Sequence, residues 1–261
     1  GEEVRVWNRS ADRARALAEV GAVACDDPAG AVRGAKRVHV TLSDDAAVDE
    51  VLERASAGFE PDVQVIDHTT TSPAGTGERA ARWQQRGVAF LHAPVFMGPQ
   101  NARERTGTML CSGDSWRFAQ VKTALEGMTG KVVYLGPDPA RAAAFKLMGN
   151  LFLMSVSAGL ADTLTLGKAL GIPAAEAATV FDVFNPAAAL PARIQRVLGA
   201  DFASPSWELS MARKDARLML EAAAAGDAAL AALPGIAARM DDLIERGHAH
   251  DDWMVIAKDA L

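Results

Sequence analysis

Short β-branched runs alternate with alanine-rich amphipathic stretches from Val4 to about Tyr134: VRVW, ADRARALAEVGA, VHVTL, AAVDEVLERA, VQVID, GERAARWQQRG and VAFL. Such alternation marks βαβ units around a mostly parallel sheet. The runs are nearly all apolar, so helices are expected over both faces of that sheet. No strand-like run follows Gly136. The stretch ARAAAFKLMGNLFLMSVSAGLADTLTLGKALG has no proline and stops at Gly171, which predicts one helix of about thirty residues joining the two halves. The remainder reads as four or five helices separated by Asn185-Pro186, Ser204-Pro205 and Gly226.

Composition narrows the class. The 261 residues are 49% hydrophobic and 23% charged, as in a globular chain with a buried core. A net charge of -6 gives no general attraction for nucleic acid or an acidic membrane, and no basic patch of any length appears. Cys25 and Cys111 are too few and too far apart for a disulfide framework, so they read as small buried apolar residues in a reducing cytoplasm. No run is expected to reach the roughly 20 apolar residues of a membrane-spanning helix.

Residues 1–138 thus read as a Rossmann-like α/β domain and residues 139–261 as an all-α domain for substrate binding and dimerisation. In a dinucleotide-binding fold, an earlier strand and a Gly-x-Gly-x-x-Gly turn hold the pyrophosphate. Neither occurs in this sequence, so the expectation is that the first βα unit lies upstream of residue 1. The alternative is a shorter α/β fold that needs no such turn.

Ligands of open α/β sheets bind at the carboxyl ends of the strands, and three polar segments stand there. After the first strand comes Asn8-Arg9-Ser10. An arginine at this point accommodates a ribose 2′-phosphate where an acidic residue would take the free hydroxyl, which favours NADP(H) over NAD(H). Ser10 adds a phosphate contact or caps the following helix; the whole segment also reads as a plain polar turn. The second segment is Thr41-Leu42-Ser43-Asp44, and the third is Asp67-His68-Thr69-Thr70-Thr71-Ser72-Pro73. A hydroxyl-rich loop holds a ribose, a carboxamide or a carboxylate, while Ser72 before Pro73 also has the pattern of a helix cap.

Lys146 stands within AAAFKLMGNLFL. A lysine among apolar residues either snorkels to water or sits in a cavity where desolvation lowers its pKa, the condition for a general acid/base. Asn150 at i+4 shares its face, and Gly149 leaves room beside it. Trp207 precedes Lys214-Asp215, which alone reads as a solvated charge pair.

Taken in order, the Asn8-Arg9-Ser10 turn, Asp67-x-x-Thr70-x-Ser72-Pro73, Ala93-Pro94-Val95, Gly107-Thr108, Lys146-x-x-x-Asn150 and Lys214-Asp215 resemble the β-hydroxyacid dehydrogenase family. That family includes 3-hydroxyisobutyrate dehydrogenases and glyoxylate/succinic semialdehyde reductases and is related to 6-phosphogluconate dehydrogenase. The resemblance covers essentially the whole chain. It implies an NADP(H)-dependent oxidoreductase interconverting a small hydroxy acid or alcohol and its carbonyl form. Lys146 is implied as the proton donor and acceptor, with Asn150 beside it. Asn8, Arg9, Ser10, Leu42, Ser43, Thr70, Lys214 and Asp215 are implied as cofactor contacts, and Phe96, Met97, Gly98, Trp207 and Lys214 as substrate contacts.

The departures bear on the substrate. Where the family has Ser-Gly-Gly after Ala-Pro-Val, with an aspartate before the alanine, this chain has Phe96-Met97-Gly98 and His92. Loss of the serine and one glycine removes donors for a small carboxylate and favours a more hydrophobic compound. The related imine reductases have similar Trp-Asn-Arg turns, and Leu110-Cys111-Ser112-Gly113 resembles them as well, but they usually carry Asp or Tyr where Lys146 stands. A non-catalytic dinucleotide-binding protein on the same fold is the other alternative. The apolar helix and alanine-rich C-terminal helices predict a homodimer packed through the helical half. His68, His92, His248 and His250 form no defensible metal pattern, and the chemistry needs no metal.

Overall fold

The structure, a computed structural model, describes residues 2–261. It divides into two compact units, Gly1–Asn150 and Leu151–Leu261.

In the first unit, β1 (Arg5–Val6) pairs in parallel with β2 (Val23–Ala24). The helix between them is α1 (Ala11–Arg15), tightened to a 3-10 turn over Ala16–Val20 and ended by Gly21 at φ 88°. The short helix α2 (Pro28–Val32) leads to β3 (Arg37–Val40), which pairs in parallel with β4 (Gln64–Asp67), itself parallel to β5 (Ala89–His92). Helix α3 (Asp45–Ala55) makes the first crossover of this sheet and α4 (Pro73–Gln85) the second. Asp44 caps α3 through the Ala47 amide, and Ser72 caps α4 through the Gly75 amide with Pro73 at the first position.

Alternate residues of the central strands feed two cores. Val65 and Phe90 join Val48, Leu52 and Trp83 on one face, while Ile66 and Leu91 join Met109, Phe118, Val121 and Leu125 on the other. This two-sided burial is why the runs read as continuously apolar.

The sheet is not one ribbon. After His92 the chain turns at Ala93-Pro94 into β6 (Val95–Phe96), followed by the short helix α5 (Pro99–Glu104) and β7 (Thr108–Cys111), which pairs antiparallel with β6. Helix α6 (Ser115–Glu126) then leads to β8 (Lys131–Tyr134), parallel to β7. A two-bond bridge between His92 and Ser112 ties the end of β5 to that of β7. Pro94 has no amide to donate, so the regular ladder cannot run through it.

The long helix α7 (Ala140–Ala169) has the expected extent, and Gly171 follows it at φ 75°. The division between units falls within it, so its first turns belong to the α/β unit. The expectation about membrane-spanning runs is corrected here. Among the described residues α7 is long and apolar enough to cross a membrane by length and composition, with a mean hydropathy of 1.4 over its most apolar window, of which 11% is buried. Scattered Gly, Ser and Asn interrupt the run without lowering its average enough.

The second unit contains α8 (Ala174–Ala178), α9 (Val180–Val183), α10 (Leu190–Leu198), α11 (Leu209–Ala225) and α12 (Leu233–Leu243). Leu209, Ala212 and Ala216 of α11 face Ala237, Met240 and Leu243 of α12, with Phe202 and Val255 closing the core. Asp162 of α7 accepts the amides of Ala231, Ala232 and Leu233 at 2.6–3.0 Å, which satisfies donors at the start of α12.

Cys111 is buried as expected, but Cys25 is half-exposed, because it follows β2 on a two-stranded ribbon whose second strand is exposed. Gly58 is the tightest backbone contact of the first unit. A Cβ there would meet the backbone of Ala29 in α2, 2.9 Å from its carbonyl carbon. Gly58→Ala is therefore expected to destabilise the protein by about 2–3 kcal/mol, the cost of overpacking against an unyielding backbone, measured by urea unfolding against the parent.

Candidate active site

Lys146 lies on the inward stripe of α7 with Ala142 and Ala143, spaced three and four residues apart. It is 9% exposed, has no ion-pair or hydrogen-bond partner among the described residues, and places Nζ 4.3 Å from the centre of the Phe96 ring. Burial pulls its pKa below that of an ordinary lysine. Asn150 is half-buried one turn on. Gly149 supplies the space seen in the sequence, and the ring that fills it belongs to Phe96: a Cβ on Gly149 would stand 2.7 Å from Phe96 Cε1.

Met97 follows the end of β6 and has partners of its own. Its Sδ receives the Thr129 hydroxyl at 3.4 Å, and its Cγ packs over Gly107, which is held at φ 84°. The Gly98 amide donates to Asn101 Oδ1 at 2.9 Å within the first turn of α5.

The loop after β4 is built for rigidity. The Asp67 carboxylate accepts the Thr69 amide, Thr69 Oγ1 accepts the Leu42 amide at 3.0 Å, and Asp45 accepts the Ser72 amide at 2.8 Å. Thr71 bonds Thr76, and both are buried. Thr70, between Thr69 and Thr71, is exposed. Ser43 Oγ donates to Asp44, the cap of α3. At the end of β1, Asn8 Oδ1 accepts the Ser10 amide, whereas the Ser10 side chain makes no cap bond to α1. Arg9 is exposed and without an ion-pair partner among the described residues. An exposed cation and the exposed hydroxyl groups of Ser10, Ser43 and Thr70 stand at strand ends, where a dinucleotide is held in such sheets.

Beneath that loop lies a buried polar cluster that the sequence reading missed. The Arg79 side chain is fully buried and donates to Asp49 at 2.7 Å and to the Asp45 carboxylate and carbonyl at 2.9 and 3.2 Å. Its Nη1 lies 3.9 Å from Asp67 Oδ2, and His92 Nδ1 lies 3.5 Å from the same oxygen. A signal existed: Arg79 follows Thr76 and precedes Trp83 on the apolar stripe of α4, where a solvated arginine has no place. His68 Nδ1 donates to the Ala93 carbonyl at 2.7 Å, leaving its Nε2 to face His39 Nδ1 at 2.9 Å, with the rings stacked.

Other sequence candidates fall in the second unit. Lys214 Nζ pairs with Asp215 at 2.7 Å, and Trp207 packs on Trp253 with ring centres 5.5 Å apart. His248 bonds Asp251 and Lys258, and His250 faces Glu208.

Residues 1–136 match the family described as the NAD binding domain of 6-phosphogluconate dehydrogenase. Among curated proteins, the human cytokine-like nuclear factor N-PAC is 28% identical over 258 residues, 96% of this chain and 45% of that protein. The chain thus spans about half the length of that relative. The 3-sulfolactaldehyde reductase of Escherichia coli K12 is 26% identical over 85% of this chain and 76% of its own. An imine reductase from Myxococcus stipitatus in complex with NADP+ has the same fold, with a TM-score of 0.92 at 20% identity over 99% of this chain and 91% of that one.

His68 is buried, and its pKa is lowered first by desolvation, against the opposing bond to Ala93. A folded pKa below the unfolded one means that the unfolded chain binds the extra proton, so stability is full above about pH 6.5 and falls as the pH drops through that value. The melting temperature is expected to fall between pH 7.5 and 5.0. His68→Gln should flatten that dependence in thermal scans.

Proposed function

This chain belongs to the family of the NAD binding domain of 6-phosphogluconate dehydrogenase, and from that premise we propose that it is an NADP(H)-dependent oxidoreductase interconverting an alcohol or hydroxy acid and its carbonyl form. The observation that carries this reading is Lys146: a buried lysine whose amine has no anionic partner among the described residues and is pulled below its usual pKa. A general acid/base works best when its pKa approaches the working pH.

Asn8, Arg9, Ser10, Leu42, Ser43 and Thr70 would hold the dinucleotide in this reading, with Arg9 against the 2′-phosphate. When bound, the cofactor supplies or accepts the hydride. As the carbonyl carbon takes the hydride, the C=O π pair moves to oxygen and Lys146 Nζ delivers a proton there, giving the alcohol and a neutral amine that solvent reprotonates. In oxidation Lys146 takes the proton back. Asn150 on the same face holds the substrate beside the amine. The similar fold of an imine reductase makes cyclic imines the second substrate class to assay, and a non-catalytic dinucleotide binder is the reading left if no turnover occurs. Two free cysteines accord with a cytoplasmic setting.

The test is oxidation of NADPH and of NADH against aldehydes, oxo acids and cyclic imines. The parent is expected to use NADPH preferentially. Lys146→Ala should lose about 10²–10⁴-fold in kcat on carbonyl substrates. An active Lys146→Ala protein removes the lysine from the reaction.

A homodimer completes the reading. Leu151, Phe152, Met154, Val156 and Leu160 of α7 are exposed, as are Val183 and Phe184 beyond it. So much exposed apolar surface on one unit marks an association face. Light scattering at micromolar concentration is expected to give twice the chain mass, and Leu151→Glu/Met154→Glu should shift it to monomer.

A further inference from the structure

We propose that Phe96 is the positioning and specificity-determining residue of this site: its ring, seated in the gap at Gly149, holds the Lys146 amine and limits the reducible substrate to carbonyl compounds without a carboxylate. The proposal rests on the oxidoreductase reading above. Three observations carry it, all within the first unit.

The Phe96 ring is the group against the ammonium, 4.3 Å from Nζ, where a cation is attracted by the face of an aromatic ring. It reaches that position because residue 149 is glycine; any β-carbon there would overlap the ring. An apolar wall therefore stands beside the proton donor, where no anion is paired with it. The third observation concerns donors. An incoming carboxylate needs free N–H or O–H groups, and the Gly98 amide that follows this wall is already spent on Asn101. The Thr129 hydroxyl is likewise turned to Met97 Sδ and the Gly107 carbonyl. With the Lys146 amine given to the carbonyl oxygen, a carboxylate brought here would lose water and find these other donors already taken. A hydrocarbon chain would lie on Phe96 with its carbonyl oxygen at Nζ.

Two measurements test the two halves. Acylation of Lys146 by acetic anhydride, followed by mass spectrometry across pH 6–11, reads the amine without any turnover. With Phe96→Leu, which keeps an apolar side chain but removes the ring face, the Lys146 titration is expected to move down by roughly half to one pH unit. Gly149→Ala, which displaces the ring while leaving Phe96 in place, should move it in the same direction. An unchanged titration in both folded variants overturns the positioning role. For specificity, butanal and 4-oxobutanoate present the same four-carbon aldehyde without and with a carboxylate. The parent is expected to favour butanal at least tenfold in kcat/KM, and Phe96→Ser/Asn101→Ala, which restores a hydroxyl and frees the Gly98 amide, should narrow that ratio. A preference of the parent for 4-oxobutanoate overturns the substrate class while the oxidoreductase reading stands. Reduction of no carbonyl compound at all overturns that reading and the substrate class together, and the acylation result still decides the position of the amine.

Discussion

The α/β unit depends on one buried guanidinium. Arg79 comes from α4 but answers to α3 through Asp45 and Asp49 and to the end of β4 through Asp67. A planar fork with fixed donors suits this work, since Nε and Nη2 are directed at α3 while Nη1 is directed at the end of β4. Burying one cation unpaired costs several kcal/mol, so the carboxylates around it are a condition of its burial rather than an added benefit. Asp45 serves twice, because it also takes the Ser72 amide. The two crossover helices and the loop between β4 and α4 are thereby fixed to one another before any ligand is considered.

That fixed frame separates structural from available groups at the strand ends. Thr69 spends its side chain on the Leu42 amide and Thr71 and Ser72 spend theirs on the first turn of α4, while Thr70, Arg9 and Ser10 are left exposed. Lys146 belongs with the available groups despite its burial. Its ammonium faces the Phe96 ring, an attraction worth about 0.5–2 kcal/mol that cannot replace full hydration. A proton donor of this kind is poised by what surrounds it and not by a partner that would hold its proton.

The fold was largely legible because hydrophobic runs report burial directly. The central strands, the capped helix at Ser72-Pro73 and the thirty-residue helix over Ala140–Ala169 follow from apolar patterning, proline and glycine. The short pieces were not legible: β2 and β6 have two residues each, too few for any period, and β6 runs antiparallel because of a turn at Pro94. Lys146 stood out as a charge in an apolar helix. Its relation to Phe96 did not, since a contact between residues fifty apart in sequence leaves no local mark. The same holds for the Asn101 bond to Gly98, where the sequence shows an amide but not whether it is already engaged. Arg79 was legible in principle and overlooked, being one of two arginines in α4.

Asp162 has a consequence for the order of assembly. Helix α12 has no side-chain cap of its own, since Ala232 precedes it, and three amides at its start are satisfied by a carboxylate some seventy residues earlier in the chain. A local cap can form as its helix nucleates, within microseconds. This one requires a long loop to close first, with the entropic cost of that closure. Within the helical unit, the first turn of α12 is thus expected to form only once Asp162 of α7 is in place, its start held by α7 rather than by a cap of its own.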